Sequence, residues 1–400
     1  MTQVDDRIQY PQGSVALLIG MWLMWLFVGA YIIVPASVLS LLMTDFGIGE
    51  TAASWILTAP QVSAVLIGIP VGIYLDRTNN RVMMAAAIGL ILVASIWGWV
   101  AGINNDYWSL FVSRLLSGLA IVTIWVAGTN ILSSAFPPEA RSTAVSIYTT
   151  GYPLGYAIGQ YAGPQIATEY GWPTTLLVFG SLAVTTLPFI IFAGQTVTAS
   201  PDASHTPTRS DVFRVFLDRN VWVVCLVSFT IYSLYMVFNS WMPTYTSTMF
   251  DLSLAKSGLF VSLFPATAIL SRTGGGILSD RVFNQRKRPV LFVSFLTTTI
   301  VVLYLSGADI PSTFLVGLVA AGLTIQLQMG VIYTYVQNFV DDNVVGTAVA
   351  VISVVGWLGE FVSPVITGAL IEWTGEYSSI FVYTGVLGVI GTLVALLASE

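Results

Sequence analysis

The sequence predicts an all-α membrane protein: twelve transmembrane helices in two pseudo-symmetric six-helix bundles. Composition is the first reason, because 56% of the 400 residues are hydrophobic and only 8% are charged, against roughly 25% charged in a water-soluble domain. Mean hydropathy is +0.82. The second is periodicity: apolar runs of about twenty residues, enough to cross the hydrocarbon of a bilayer, follow one another between short polar breaks. The third is a constant internal offset. Asp76 and Asp280 stand 204 residues apart, as do Gly118 and Gly322, while Gly159 and Gly359, and Pro164 and Pro364, are 200 apart. An offset of half the chain marks an internal duplication.

In order, spans fall at about 14–42, 50–75, 82–103, 108–134, 142–168 and 173–194, with boundaries good to a few residues. Polar residues from Gln195 to Asn220 interrupt the pattern. Six more spans follow at about 220–248, 254–279, 288–306, 311–337, 346–371 and 378–398. The organisation expected is a first bundle over 1–194, a cytoplasmic linker over 195–219 and a second bundle over 220–400. Basic residues set the orientation. With the N-terminus inside, eleven of the fourteen Lys and Arg fall on the cytoplasmic side and only Lys256 outside. Both termini are therefore expected in the cytoplasm, with the chain in the cell membrane.

Several classes are set aside. Met1 to Gln12 is polar and the first apolar run exceeds a signal region, so no cleavable signal is expected. A net charge of −6 and a pI near 4.7 argue against a nucleic-acid partner. Two lysines among many acids suit a prokaryotic cell with a high-salt cytoplasm. Cys225 alone builds no disulfide framework, and His205, the single histidine, lies in the linker, so no metal site is expected. Walker lysine, nucleophile elbow and protease pairs are absent. The protein is read as no enzyme, without a cofactor, acting as a monomer in the bilayer.

Twelve spans in two similar halves around a polar linker resemble the major facilitator superfamily. Its most specific mark is the G-x-L-a-D-R-x-G-R-R pattern between helices 2 and 3, matched here by Gly72, Leu75, Asp76, Arg77 and Arg81. Asn79 replaces the usual glycine, and the last arginine is missing. Gly276, Asp280 and Arg281 echo it in the second half. Gly72, Asp76, Arg77, Arg81, Asp280 and Arg281 are thus candidates for a charge latch that gates the cytoplasmic face, the alternative being interfacial charges that only set topology. Gly151, Gly155, Gly159 and Gly163, followed by Pro164, resemble the family's antiporter motif, but glycines at spacing four also let two helices approach closely in lipid.

Three ionisable residues lie inside spans, where each costs at least ~2.5–3.5 kcal/mol and usually faces a cavity: Arg114, Arg272 and Glu360. Arg272 lies eight residues before Asp280, about 12 Å along a helix rising ~1.5 Å per residue, near mid-membrane. Its planar, permanently charged fork suits carboxylate or nitrate. R-x-x-G-G-x-x-S-D resembles helix 8 of the nitrate/nitrite porters, oxalate/formate antiporters and monocarboxylate porters, a resemblance that implies anion binding by Arg272. Nitrate porters carry a second arginine in helix 2, where this chain has Gly68. Glu360 stands near the middle of its span. Burial and a nearby arginine act on a carboxyl's proton affinity in opposite senses, which makes Glu360 a candidate proton carrier, competing with the anion for Arg272; a structural ion pair is the alternative. Arg114 opens R-L-L-S-G, similar to a family motif associated with proton transfer, or ties helix 4 to its neighbours.

Mid-span polar and aromatic residues complete the candidate substrate path: Tyr31, Gln61, Tyr156, Tyr235, Asn239 and Gln328. The function expected is secondary transport of a small anion, driven by protons or by a counter-anion. The rivals are a proton-driven drug antiporter, which would want acids at mid-depth in helices 1 to 6, and a non-transporting sensor, which would want an enlarged loop or tail.

Overall fold

The computed structural model describes residues 13–75, 78–193, 209–341 and 344–399. Asp76, Arg77, residue 194 and residues 195–208 of the expected linker lie outside them. Twelve helical passes are present, labelled in chain order. In the first half α1 is Ser14–Ser37 continued by Leu39–Phe46, α2 is Glu50–Leu75, α3 is Asn80–Ile103 and α4 is Tyr107–Ala135. Then come α5 at Pro138–Tyr170 and α6 at Trp172–Val184 with Leu187–Ala193. In the second half α7 is Arg219–Phe250, and α8 runs Leu254–Ala266, Ala268–Ile277 and a π-helical turn Leu278–Val282. The remainder are α9 at Arg288–Ser306, α10 at Pro311–Met329 with Ile332–Val336, α11 at Val345–Thr374 and α12 at Ser379–Leu397. A short helix, Arg209–Leu217, occupies the part of the linker described, and α7 starts one residue earlier than the sequence suggests.

Polar residues at the helix starts supply caps where the backbone N–H groups have no partner. Asn79 accepts from the amides of Arg81 and Val82 at α3, Asp106 from Ser109 at α4, and Asp218 from Asn220 at α7. Gly47 and Gly375 end α1 and α11 in the left-handed conformation that glycine adopts without a Cβ penalty. Arg81, Arg281 and Arg286 share one end of the molecule, called here the basic end. Glu50, Asp106, Asp251, Glu372 and Glu376 share the other, the acidic end.

Among the described residues, eleven passes are long and apolar enough to cross a membrane. The twelfth, α5, is the longest at 33 residues but is rich in hydroxyls and amides. Those groups are absorbed locally: Thr149 donates to the Ser146 carbonyl, Thr150 to that of Ile147, and Thr168 to that of Pro164. It crosses as the inner helix of its half, packed between α1 and α8.

That packing is backbone against backbone. A methyl group at Gly155 would overlap the Leu26 carbonyl, one at Gly151 would lie 2.7 Å from the Trp22 carbonyl, and one at Gly159 would lie 2.8 Å from that of Ala30. The glycine stripe of α5 thus seats α1 along its length. The duplication is visible in equivalent contacts. Gly118 of α4 abuts the Pro60 carbonyl of α2, and Gly322 of α10 abuts the Phe264 carbonyl of α8; both members of the second pair are displaced from the first by the same 204 residues. Gly359 of α11 approaches the Phe229 carbonyl of α7 as Gly159 approaches Ala30. The halves meet where α2 runs along α11, α5 along α8 and α1 beside α7.

Gly155→Leu inserts four carbons where no methyl fits, and overpacking alone costs about 1–3 kcal/mol or more. It is expected to yield no monodisperse folded protein in detergent. Gly89→Leu is the control, because no atom lies within 4 Å of its added Cβ; its unfolding temperature should match that of the parent in a detergent thermal-shift assay.

Candidate functional site

In hydrocarbon a backbone carbonyl cannot turn to water, so one released by a proline must find another donor. Two of these released carbonyls organise the centre of the protein. Pro35 leaves the Tyr31 carbonyl of α1 without its intrahelical amide. Arg114 of α4 takes it, Nη1 donating at 3.3 Å, while Nη2 donates to the Ile32 carbonyl at 2.7 Å. The guanidinium also lies 5.0 Å from the centre of the Tyr31 ring. Arg114 is fully buried, and its bonding is that of a tie between α4 and α1, one of the two roles the sequence leaves open. In the second half Pro243 releases the Asn239 carbonyl of α7, and Gln160 of α5 donates to it at 2.7 Å across the junction of the halves.

Two broken helices bring Arg272 to this level. α8 stops at Thr267 and restarts at Ala268; α10 stops at Gly330 and restarts at Ile332. Discontinuous helices of this kind frame binding sites in many transporters. The α10 break packs directly on the α8 segment that carries Arg272, since a methyl at Gly330 would overlap the Arg272 carbonyl and one at Gly275 would overlap the Leu327 carbonyl. The Arg272 side chain is half-buried; Nη2 donates to the Met329 sulfur at 3.2 Å, and its buried Nε has no protein partner.

Glu360 of α11 is 5% exposed and does not close on Arg272. Its carboxyl lies beside the Gln61 amide of α2, contributed by the other half, and feels Arg272 at longer range. The direct pair that the sequence left open is therefore not formed in this structure: the part of α8 that carries Arg272 does not run against α11. Tyr235 and Tyr232 of α7 lie within electrostatic reach of both charges, and Tyr232 shares a 2.6 Å hydroxyl contact with Tyr333 of α10. Tyr156 stacks on Tyr235 across the junction with centroids 5.8 Å apart, and its hydroxyl meets that of Tyr152 at 3.2 Å.

Several buried polar atoms of these helices have no protein partner: the Tyr31 and Tyr235 hydroxyls, Gln61 Oε1, Asn239 Oδ1 and both amide atoms of Gln328. Buried polar groups are normally paired, so unpaired ones leave hydrogen-bonding capacity unused. All six sequence candidates for the path contribute to it or to the stacked tyrosines. Gln326, also polar and in α10, is committed on its nitrogen, which donates to the Phe264 carbonyl and to the Thr267 hydroxyl and so splints the α8 break, while its Oε1 is unpaired as well. Gly68 explains the missing second arginine sterically. The Trp357 indole of α11 lies 3.2 Å from where its Cβ would be, so that space belongs to the other half.

Three participants were not singled out from sequence. Gln160 sits inside the glycine motif of α5, where the spacing of its glycine neighbours draws the eye. Met329 and Trp357 read as ordinary apolar packing, and only the Gly330 break beside Met329 hints otherwise.

Two contacts join the halves at the acidic end. Glu372 Oε2 accepts from the Thr51 amide at 3.2 Å, capping the start of α2 from α11, and the Tyr377 hydroxyl donates to Glu50 Oε1 at 3.1 Å. Burial, with the Glu50 carboxylate beside it, pushes the Tyr377 phenol well above its usual range. Below them Gly258 of α8 presses on the carbonyl of Gln160, released by Pro164. At the basic end Asp280 and Arg281 are exposed on the π-helical turn, and no atom lies within 4 Å of a Cβ added at Gly72. The first-half latch residues Asp76 and Arg77 lie outside the described residues; Arg81 follows the Asn79 cap.

The family described as Major Facilitator Superfamily matches this chain over residues 17–363 and 285–400. The chain is 23% identical to the nitrite extrusion protein of Bacillus subtilis (strain 168), the match covering 93% of this chain and 89% of that protein. It is 24% identical to the probable nitrate transporter NarT of Staphylococcus aureus (strain MRSA252) over 98% and 95% of the two chains. It is 22% identical to the hexuronate transporter of Bacillus subtilis over 87% and 86%. Among solved structures, a bacterial homologue of the human lysosomal transporter Spinster, inward-facing and unoccupied, superposes with a TM-score of 0.82 at 16% identity, covering 96% of this chain and 97% of that one. At that identity the likeness speaks for the fold alone.

A raised phenol pKa keeps Tyr377 protonated and donating at low and neutral pH; its contribution is lost only as pH rises through the raised value. Spin labels at Ile48→Cys and Trp373→Cys should therefore report an unchanged separation between pH 7 and pH 9. Adding Tyr377→Phe and Glu372→Ala removes both contacts and should broaden that distribution toward longer distances.

Proposed function

The chain belongs to the Major Facilitator Superfamily, whose members are transporters rather than enzymes, and we propose that it carries a small anion, nitrate or nitrite or a short carboxylate, through the cell membrane by alternating access. One observation carries the reading. Arg272 is a permanent positive charge at the junction of two broken helices, and its hydrogen-bond acceptor there is a neutral thioether. A guanidinium held this way keeps its full attraction for an anion, and its planar fork matches two coplanar oxygens. Tyr235, Gln328, Asn239, Gln61, Tyr31 and Tyr156 offer hydroxyls and amides around it. The names of similar proteins support the same class: a nitrite extrusion protein, a nitrate transporter and a hexuronate transporter.

Coupling is assigned to Glu360. An ionised carboxylate within electrostatic reach of Arg272 opposes the entry of a second anion, and protonation removes that opposition. Its neighbour Gln61 belongs to the other half, so loading the carboxyl with a proton also changes a contact between the two rocking bundles. The drug-antiporter alternative gains nothing from Asp45, Glu50, Asp106 and Glu169 of α1 to α6, which lie at the acidic end rather than at mid-depth. Excess Lys and Arg at the basic end argue that this end faces the cytoplasm.

Uptake of labelled nitrate, nitrite, formate and acetate into proteoliposomes tests the proposal. Wild-type protein should accumulate at least one of them. Arg272→Lys keeps the charge but loses the fork, and its uptake should fall about tenfold or more, the scale of a charge-assisted hydrogen bond. Glu360→Gln should still exchange anion against anion while losing its response to an imposed pH gradient. Movement of a lipophilic cation instead, indifferent to Arg272→Lys, would overturn the reading.

A further inference from the structure

We propose that Met329 is a specificity-determining residue of the anion site: its thioether is a placeholder ligand that orients the Arg272 guanidinium and gives way to the substrate. The inference rests on the reading of Arg272 as the anion-binding charge and extends it to a residue whose type suggests only packing.

Met329 and Arg272 are set opposite one another by the backbone. Gly330, next in sequence to Met329, abuts the Arg272 carbonyl, and Gly275, one turn beyond Arg272, abuts the Leu327 carbonyl. With a glycine contributed from each side, the two chain segments lie in direct contact, and neither residue moves independently of the other. Met329 is 7% exposed, and its sulfur accepts from Arg272 Nη2 at 3.2 Å. A buried guanidinium could have been given a carboxylate or a backbone carbonyl, as Arg114 was given the carbonyls of Tyr31 and Ile32. It has sulfur instead, a weak and uncharged acceptor. The side chain is unbranched and has several rotatable bonds, so it can swing aside when an oxygen arrives at Nη2.

The consequence concerns which anions are admitted. An entering anion must replace whatever Nη2 already holds. Against a thioether even nitrate, a weak hydrogen-bond acceptor, succeeds; against an amide oxygen it competes poorly, whereas a more basic carboxylate still competes. Met329 thus keeps the site open to weakly basic planar anions.

Two variants separate this role from packing. Met329→Gln keeps the chain length and installs a stronger neutral acceptor; KM for nitrate should rise about fivefold to tenfold, one neutral hydrogen bond's worth, with a smaller rise for acetate and an unchanged maximal rate. Met329→Leu keeps the bulk and removes the acceptor, so KM for nitrate should stay level or fall. Equal rises in KM for both anions in both variants, or no change in either, would overturn the proposal. A direct readout stands beside the kinetics. In protein labelled with 13C at the methionine methyls, the Met329 signal, assigned by its loss in Met329→Leu, should differ between wild type and Arg272→Lys without any anion, and should shift on titration of wild type with sodium nitrate. A Met329 signal indifferent to Arg272→Lys denies the contact and sinks this inference even if anions are transported. A signal that responds to Arg272→Lys, in a protein that neither binds nor moves any anion, sinks the proposed function instead.

Discussion

The constraint on which the rest of the structure depends is the lack of water inside a bilayer. Helices cross because they satisfy their own backbone, and each proline within a span breaks that self-sufficiency at one carbonyl. The chain answers with long polar side chains from neighbouring helices. Arg114 reaches α1 at the carbonyl freed by Pro35, and Gln160 reaches α7 at the one freed by Pro243. These bonds decide which helices are neighbours and at what height. They also differ in consequence. The first lies within one half, whereas the second spans the junction and ties the two halves to each other.

Close approach is the complementary device. Glycines on α4, α5, α8, α10 and α11 each bring a backbone against a neighbouring carbonyl, replacing the hydrophobic drive that lipid does not provide with van der Waals contact at short range. Because the glycines repeat at the duplication offset, the two halves are built by the same contacts. The resemblance of the α5 stripe to an antiporter motif is accounted for by this packing, since each of its glycines faces α1.

The fold was legible in the sequence because its signals are local: apolar run length, the offset between Asp76 and Asp280, and the placement of basic residues each read out without knowledge of contacts. The charged candidates were legible for a related reason, as Arg272 and Glu360 stand out against an apolar background. What could not be read was partnership. Glu360 faces Gln61, and Gly68 is filled by Trp357; both contacts join α2 to α11, nearly three hundred residues away, and no local pattern encodes them. The breaks in α8 and α10 leave only faint local traces, Pro265 two residues before Thr267 and the glycine at 330 itself, and neither says what packs against the break. Met329 was invisible for a chemical reason, since a thioether sulfur becomes an acceptor only where the fold aims a donor at it.

Two arginines lie inside spans of the same protein, Arg114 buried and Arg272 half-buried, and their surroundings differ. Both carry the same planar guanidinium. Arg114 spends its donors on two carbonyls and lies against an aromatic face, so its surroundings already supply negative potential from several directions. Both leave Nε without a protein partner; what sets Arg272 apart is that its acceptor at Nη2 is a thioether, while the Glu360 carboxyl is held toward Gln61. Burial alone therefore does not distinguish a structural arginine from a functional one; the strength of the acceptors already in place does. Of the two helix interruptions near Arg272, only the one in α10 changes the backbone bonding: the amides of Gly330 and Val331 turn to the carbonyls three residues back, whereas Thr267 keeps its bond to Leu263 and accepts from Ser271. The weakly compensated guanidinium thus lies against the one of these two segments whose regular hydrogen bonding lapses, which is the arrangement expected of a place that must accept and release a negatively charged guest.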